Sequence, residues 1–175
     1  MNTLETIASR HSYRGTYLNT PVPREDLLKI LKAGCDAPSG CNKQTTSFIA
    51  VDDPEVMAKL FTVITRGLGK TAPAMICVLT QKIIAYSDRT FYIQDYSAAI
   101  ENMLLAITDL GYASCWVEGH VTGTDRIGEK MSQILGVPEG YELICYLPVG
   151  IPAEEVKIVE KKPLEERAWF NGFGK

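Results

Sequence analysis

The 175-residue chain has only two histidines, His11 and His120, and no CxxC pair among its five cysteines. Two histidines argue against a histidine-rich metal site, and the lack of CxxC spacing argues against a zinc ribbon. An odd number of cysteines also argues against a disulfide framework, leaving reduced, mostly buried thiols as the expectation. No segment approaches the roughly 20 consecutive apolar residues of a membrane helix. The start, MNTLETIASRHS, lacks the cationic stretch and apolar run of a secretory leader. These absences predict a soluble, cytoplasmic protein. Excess positive charge is missing too: 18 basic against 21 acidic side chains leave a net charge of −3, which gives no reason to expect nucleic acid or an anionic membrane as partner.

Two nucleotide signatures are also missing. There is no GxGxxG. GLGKT at 67–71 imitates the end of a phosphate loop, yet Ile64 stands where that loop needs glycine, and a helix rather than a strand is expected before it. No GxSxG elbow occurs, so Ser12 beside His11 is no evidence of a hydrolase.

What is present is ordinary globular composition, 46% hydrophobic and 22% charged, in a length that fits one domain. A single domain over 1–175 is expected, with 151–175 as a polar tail. PREDLLKILKAGCD (23–36) predicts a helix with Pro23 at its start and Leu27, Ile30 and Leu31 on one face. TSFIAV (46–51) and AMICVLT (74–80) predict strands. Asp53 caps a helix beginning at Pro54, and 81–94 show no period, predicting a loop. Residues 95–110 give the strongest helical pattern, apolar around so much of the circumference that burial on several sides is implied. SCWV (114–117), a capped helix at 124–136 and YELICYLPVG (141–150) complete the series. Alternating helices and strands imply a sheet covered by helices, and alternation alone favours a parallel one.

Three stretches carry candidate chemistry. RHSYR places Arg10, His11, Ser12 and Arg14 together. Within one helical turn, two forked guanidiniums and a hydroxyl would make a phosphate clamp, or equally a solvated face. APSGCNKQ puts Pro38, Ser39, Gly40 and Asn42 in a loop between the first helix and first strand, with amide and ammonium donors beside it, or else simply a connection. WVEG sets Glu118 and Gly119 after a strand.

The order RHSYR, PVPREDLLKIL, APSGCNKQ before SFIAV, a long Ala-containing helix leading to LGYASCWVEG, then ILGVPEGYELICYLPVGIP and KKPLEE, resembles the flavin-dependent nitroreductase family over nearly the whole chain. The resemblance implies an α+β three-layer sandwich whose mixed, largely antiparallel sheet is flanked by helices, not the parallel sheet that alternation suggests. It also implies an intertwined homodimer with one FMN at each of two interface sites. Arg10, His11, Ser12 and Arg14 would then hold the phosphate, ribityl chain and pyrimidine edge, with Lys161, or its neighbour Lys162, ahead of Pro163-Leu164, completing the phosphate site. Pro38, Ser39, Gly40 and Asn42 would meet the FMN of the other subunit. Glu118 and Gly119 would lie beside the redox edge, the Gly119 amide donating toward N5 or O4. Cys41, Thr45 and Thr46 depart from the family pattern and bear on the substrate pocket. The implied activity is transfer of hydride from NAD(P)H through flavin N5 to a nitroaromatic or quinone, in ping-pong fashion. The alternatives are other redox chemistry on the same flavin fold, such as dehalogenation or dehydrogenation, and a flavin store or sensor without turnover.

Overall fold

The computed structural model describes residues 1–174. Its central element is β2, Ala74–Thr80, in which every residue is buried. Such a strand must be covered on both faces, and alternate side chains part accordingly. Ala74, Ile76 and Val78 join one apolar cluster, while Met75, Cys77 and Leu79 join a second on the opposite face. The first cluster is closed by α2 (Arg24–Cys35) and α4 (Tyr92–Asp109), the second by α3 (Pro54–Val63) and α5 (Ile127–Leu135). The result is helix, sheet, helix: three layers.

β1 (Thr46–Val51) and β5 (Glu142–Val149) flank β2, both antiparallel to it. An extra β5 residue, Ile144, is accommodated where the register shifts between Val78 and Leu79, and there the alternation is broken: Ile144 and Cys145 join the same cluster, with Leu143 and Tyr146 in the opposite one. Ser12 pairs with Ser114 in a parallel bridge beyond β5, so the sheet is mixed at that edge. The parallel arrangement suggested by alternation is thereby corrected, because the strands are joined through connections that return each one antiparallel.

SCWV does not form the expected strand. Ala113 pairs with Gly150 and Val117 with Tyr146, but no ladder joins them. That register sets Cys115 opposite Pro148, whose missing N–H interrupts pairing at its middle. The unpatterned 81–94 segment is likewise not all loop: β3 (Ile84–Tyr86) and β4 (Arg89–Thr90) form a hairpin. Its turn residues Ser87 and Asp88 both have positive φ, 44° and 62°, the backbone of a primed turn without the usual Asn-Gly or Asp-Gly signal.

Helix α4 begins at Tyr92, earlier than the pattern at 95–110 suggests. It crosses α2 closely at Gly34, where a Cβ would lie 2.9 Å from Met103 Cγ. Among the described residues no helix is long and apolar enough to cross a membrane. One helix has no counterpart in the sequence pattern: α1, Thr3–Ser9, started by a reciprocal capping box between Asn2 and Glu5.

Candidate functional site

RHSYR is not a helical turn. Helix α1 stops at Ser9 and Arg10 turns extended, at φ −67° and ψ 117°. The following residues run alongside 113–117: Ser12 bridges Ser114, and the Tyr13 amide donates to the Ser114 carbonyl at 2.8 Å. Tyr13 and Tyr17 anchor this run by burying their rings edge to face, 5.1 Å apart. Arg10, Ser12 and Arg14 are therefore not brought together by a helical turn, and the two guanidiniums have different neighbours. The Arg10 side chain is half-buried with its Nε 3.4 Å from Glu101 on α4. Arg14 is exposed and makes no ion pair among the described residues. It lies close enough to Cys115 to oppose the effect of burial, which pushes that thiol up to about 11.

Two positions beyond Trp116, in the same segment, stands Glu118. The Tyr96 hydroxyl donates to Oε1 at 2.9 Å and the Trp116 indole N–H to Oε2 at 2.8 Å. Burial and the bond to this carboxylate together raise the Tyr96 phenol well above its ordinary range, keeping it a donor. The Glu118 carbonyl accepts the amides of Val121 and Thr122 at 2.7 and 3.1 Å, so the chain turns here and leaves Gly119 exposed.

The 38–45 loop is held from α4. Asp95, 4% exposed, accepts the Gly40 amide and the Thr45 hydroxyl, each at 2.7 Å. Gly40 is required here because a Cβ would lie 2.6 Å from the Phe91 ring. Cys41, Asn42 and Gln44 all take positive φ, between 49° and 53°, a concentration of strained backbone in one short turn. Pro38, Ser39, Thr45, Thr46 and Asp95 line a cavity of about 260 Å³.

Lys161 reaches the N-terminal run in space. It lines a cavity of about 470 Å³ together with Ser9, His11 and Val156. One chain thus brings Lys161 to His11, which stands between Arg10 and Ser12 in the run, with Glu118 and Gly119 following the segment that Ser12 pairs with. Pro38 and Ser39 face a separate cavity.

Sequence reasoning missed Asp95, Tyr96 and Trp116. Trp116 was within reach of it, because residues i and i+2 of an extended segment share a side and Glu118 follows at that spacing. Tyr96 and Asp95 gave no local signal, since their partners lie 22 to 55 residues away.

The chain matches the Nitroreductase family model over residues 7–68 and 62–151. It belongs to the nitroreductase family. An Archaeoglobus fulgidus protein provisionally named NADH dehydrogenase/NAD(P)H nitroreductase is 34% identical over 158 residues, 90% of this chain and 89% of its own length. Among solved structures, an FMN-dependent nitroreductase from Clostridium difficile R20291 superposes with TM-score 0.81 at 29% identity, covering 98% of this chain and all of that one (100%). A nitroreductase with bound FMN from Bacteroides fragilis NCTC 9343 superposes with TM-score 0.73 at 29% identity, over 93% of this chain and 95% of that one. The three-layer α+β architecture of this nitroreductase-family chain is therefore the family's own fold, and the chain is an oxidoreductase of that family.

Proposed function

We propose that the protein is an FMN-dependent oxidoreductase that takes hydride from NAD(P)H and delivers it to an electrophilic acceptor such as a nitroaromatic or quinone, both substrates using one pocket in turn. The observation that carries this is the run Arg10–Arg14 laid extended against Ser114, with Glu118 and Gly119 close behind on the same segment.

The residues suit the cofactor. Arg10, Arg14 and Lys161 supply cations and Ser12 a hydroxyl, the donor set a phosphate dianion and a polyol chain require. Ser114, the bridge partner of Ser12, has a buried hydroxyl with no hydrogen-bond partner. Such an atom marks a place where a polar group is awaited. Bound FMN would supply the two-electron chemistry, accepting hydride at N5 and returning it.

The chain's own residues bind, orient and tune. Arg10, His11, Ser12 and Arg14, with Lys161, would hold the phosphate, ribityl chain and pyrimidine edge, and a cation at that edge would favour the reduced anion. Gly119 offers a free amide at the redox edge. Its N–H meets no acceptor among the described residues. Pro38, Ser39, Gly40 and Asn42 serve the site of a second subunit, consistent with Pro38 and Ser39 facing a cavity apart from His11 and Lys161. A homodimer is further supported by exposed apolar side chains at both ends of the chain: Leu4 and Ile7 on α1, and Ile158, Leu164, Phe170 and Phe173 in the tail. Five unpaired cysteines suit a reducing cytoplasm.

The test is the visible absorption spectrum of the protein loaded with FMN, before and after anaerobic NADH and then NADPH, followed by a nitroaromatic or quinone. Bleaching by a nicotinamide and recovery with the acceptor is the expected result. Flavin that only dithionite reduces would replace the enzyme with a flavin-binding store or sensor.

A further inference from the structure

We infer that Tyr96 and Trp116 are positioning residues that latch the Glu118 side chain inward, so that Glu118 acts through the turn it begins and the Gly119 amide is what reaches the cofactor. This rests on the flavin reading above. An ionised carboxylate can only accept hydrogen bonds, and both of its oxygens are taken, Oε1 by the Tyr96 hydroxyl at 2.9 Å and Oε2 by the Trp116 indole at 2.8 Å. No cation pairs with Glu118 among the described residues. A half-buried carboxylate served only by neutral donors is costly unless those donors are fixed in place.

They are fixed. Tyr96, on α4, is 6% exposed, and its ring meets that of Trp116 edge on, at 6.4 Å and 75°. The two donors come from different layers, one from a helix and one from the segment beside β5, so the latch ties the turn to α4. From Glu118 onward the backbone is set as well, because its carbonyl accepts from Val121 and Thr122. The Gly119 amide, on the exposed residue of this turn, meets no acceptor among the described residues and is free to meet a ligand.

Geometry and charge make different demands, and glutamine separates them. In Glu118→Gln the side-chain amide can accept from the indole through its oxygen and donate through its NH2 to the Tyr96 oxygen, since a phenol accepts as well as donates. That substitution therefore keeps both bonds and loses the charge; Tyr96→Phe removes one bond and keeps the charge.

The experiment uses the full chain and the variants Tyr96→Phe, Trp116→Phe, Glu118→Gln and Glu118→Ala. In the protein without FMN, the indole N–H resonance of Trp116, one of only two tryptophans, reports the latch directly by NMR. It should shift in Glu118→Ala and in Tyr96→Phe. With FMN bound, the rate of flavin reduction by NAD(P)H and the midpoint potential are measured beside FMN affinity. Tyr96→Phe, Trp116→Phe and Glu118→Ala should slow reduction on the order of tenfold and move the potential while still binding FMN. Glu118→Gln, which keeps both bonds, should slow reduction clearly less than Glu118→Ala. Phe variants with wild-type rates and potential would overturn the proposal, as would Glu118→Gln behaving like Glu118→Ala, which would assign the role to charge. An unmoved Trp116 resonance in Glu118→Ala would also overturn it. A wild-type protein that binds no FMN, or whose FMN no nicotinamide bleaches, would instead bring down the flavin reading, and the NMR result would still judge the latch.

Discussion

The Asp95 carboxylate accepts the Thr45 hydroxyl at 2.7 Å, tying the first turn of α4 to the residue before β1, and both residues are buried. Its other oxygen takes the Gly40 amide at 2.7 Å. Two bonds to a buried charge make this the main restraint on the strained 40–44 turn. Asp95→Ala strands both donors and is expected to cost about 2–3 kcal/mol. Asp95→Asn should recover part of this, because its carbonyl can keep the Gly40 amide while Thr45 turns to accept. Urea unfolding of the three proteins measures it, and an unmoved midpoint in Asp95→Ala would show the restraint to be idle.

Arg10→Ala removes the half-buried guanidinium of the proposed phosphate clamp. Loss of one charge-assisted hydrogen bond corresponds to about 1.5–3 kcal/mol, so FMN affinity is expected to fall roughly 10- to 100-fold. Flavin fluorescence titration checks this. Undiminished affinity would remove Arg10 from the site.

Two glycines distinguish soft neighbours from stiff ones. In Gly34→Ala the new methyl meets side chains, Met103 Cγ and Phe48 Cζ both at 2.9 Å, which can shift, and alanine's better helix propensity returns about 1 kcal/mol. A net cost of about 0–2 kcal/mol is expected. In Gly128→Ala the methyl collides with the Leu143 carbonyl on β5, backbone that cannot move without breaking the sheet. That variant should lose about 3 kcal/mol or more. Equal midpoints for the two would refute the distinction.

The thiols should react in two classes. Cys35 and Cys41 are exposed, whereas Cys77, Cys115 and Cys145 are buried. Burial pushes Cys77 up to about 12 and raises Cys145 as well, so neither ionises near neutrality. Titration with a chromogenic disulfide is expected to show two fast thiols in the native protein and five after denaturation. A third fast thiol would show that the core opens locally.

Acid should weaken the fold through its surface pairs. Hydrogen bonds from Lys29 and then Tyr112 hold Asp26 below the ordinary carboxylate value; Arg24 does the same for Asp52, the N-terminus for Asp109 and Arg126 for Glu129. Because these folded values are depressed, their stabilisation is complete above the unfolded value of about 4 and is lost as pH falls through the lower folded values. Urea midpoints should therefore drop between pH 7 and pH 3, and less so in high salt, which already screens exposed pairs. A salt-independent drop would point to buried groups instead.

Helix and strand periods, caps and breakers are local, and so they are legible: α2, β1, β2 and β5 stand within one or two residues of their patterns. Asp53 caps α3 and Gly136 ends α5 as their residue types require. The β3–β4 hairpin is invisible in the sequence because Ser-Asp is an unusual primed turn, and SCWV misleads because only pairing reveals Pro148 opposite its middle. The candidate site divides the same way. The chain order of its motifs named Arg10, Ser12, Gly40, Glu118 and Gly119 through family resemblance. That Arg10 to Arg14 run extended beside Ser114, that Lys161 returns to His11, and that α4 holds the 40–45 turn by Asp95 and Glu118 by Tyr96 were decided by tertiary structure. Sequence period records which face of an element is buried. It carries no record of which distant donor meets which acceptor, because that depends on how the layers are stacked and not on any neighbour along the chain.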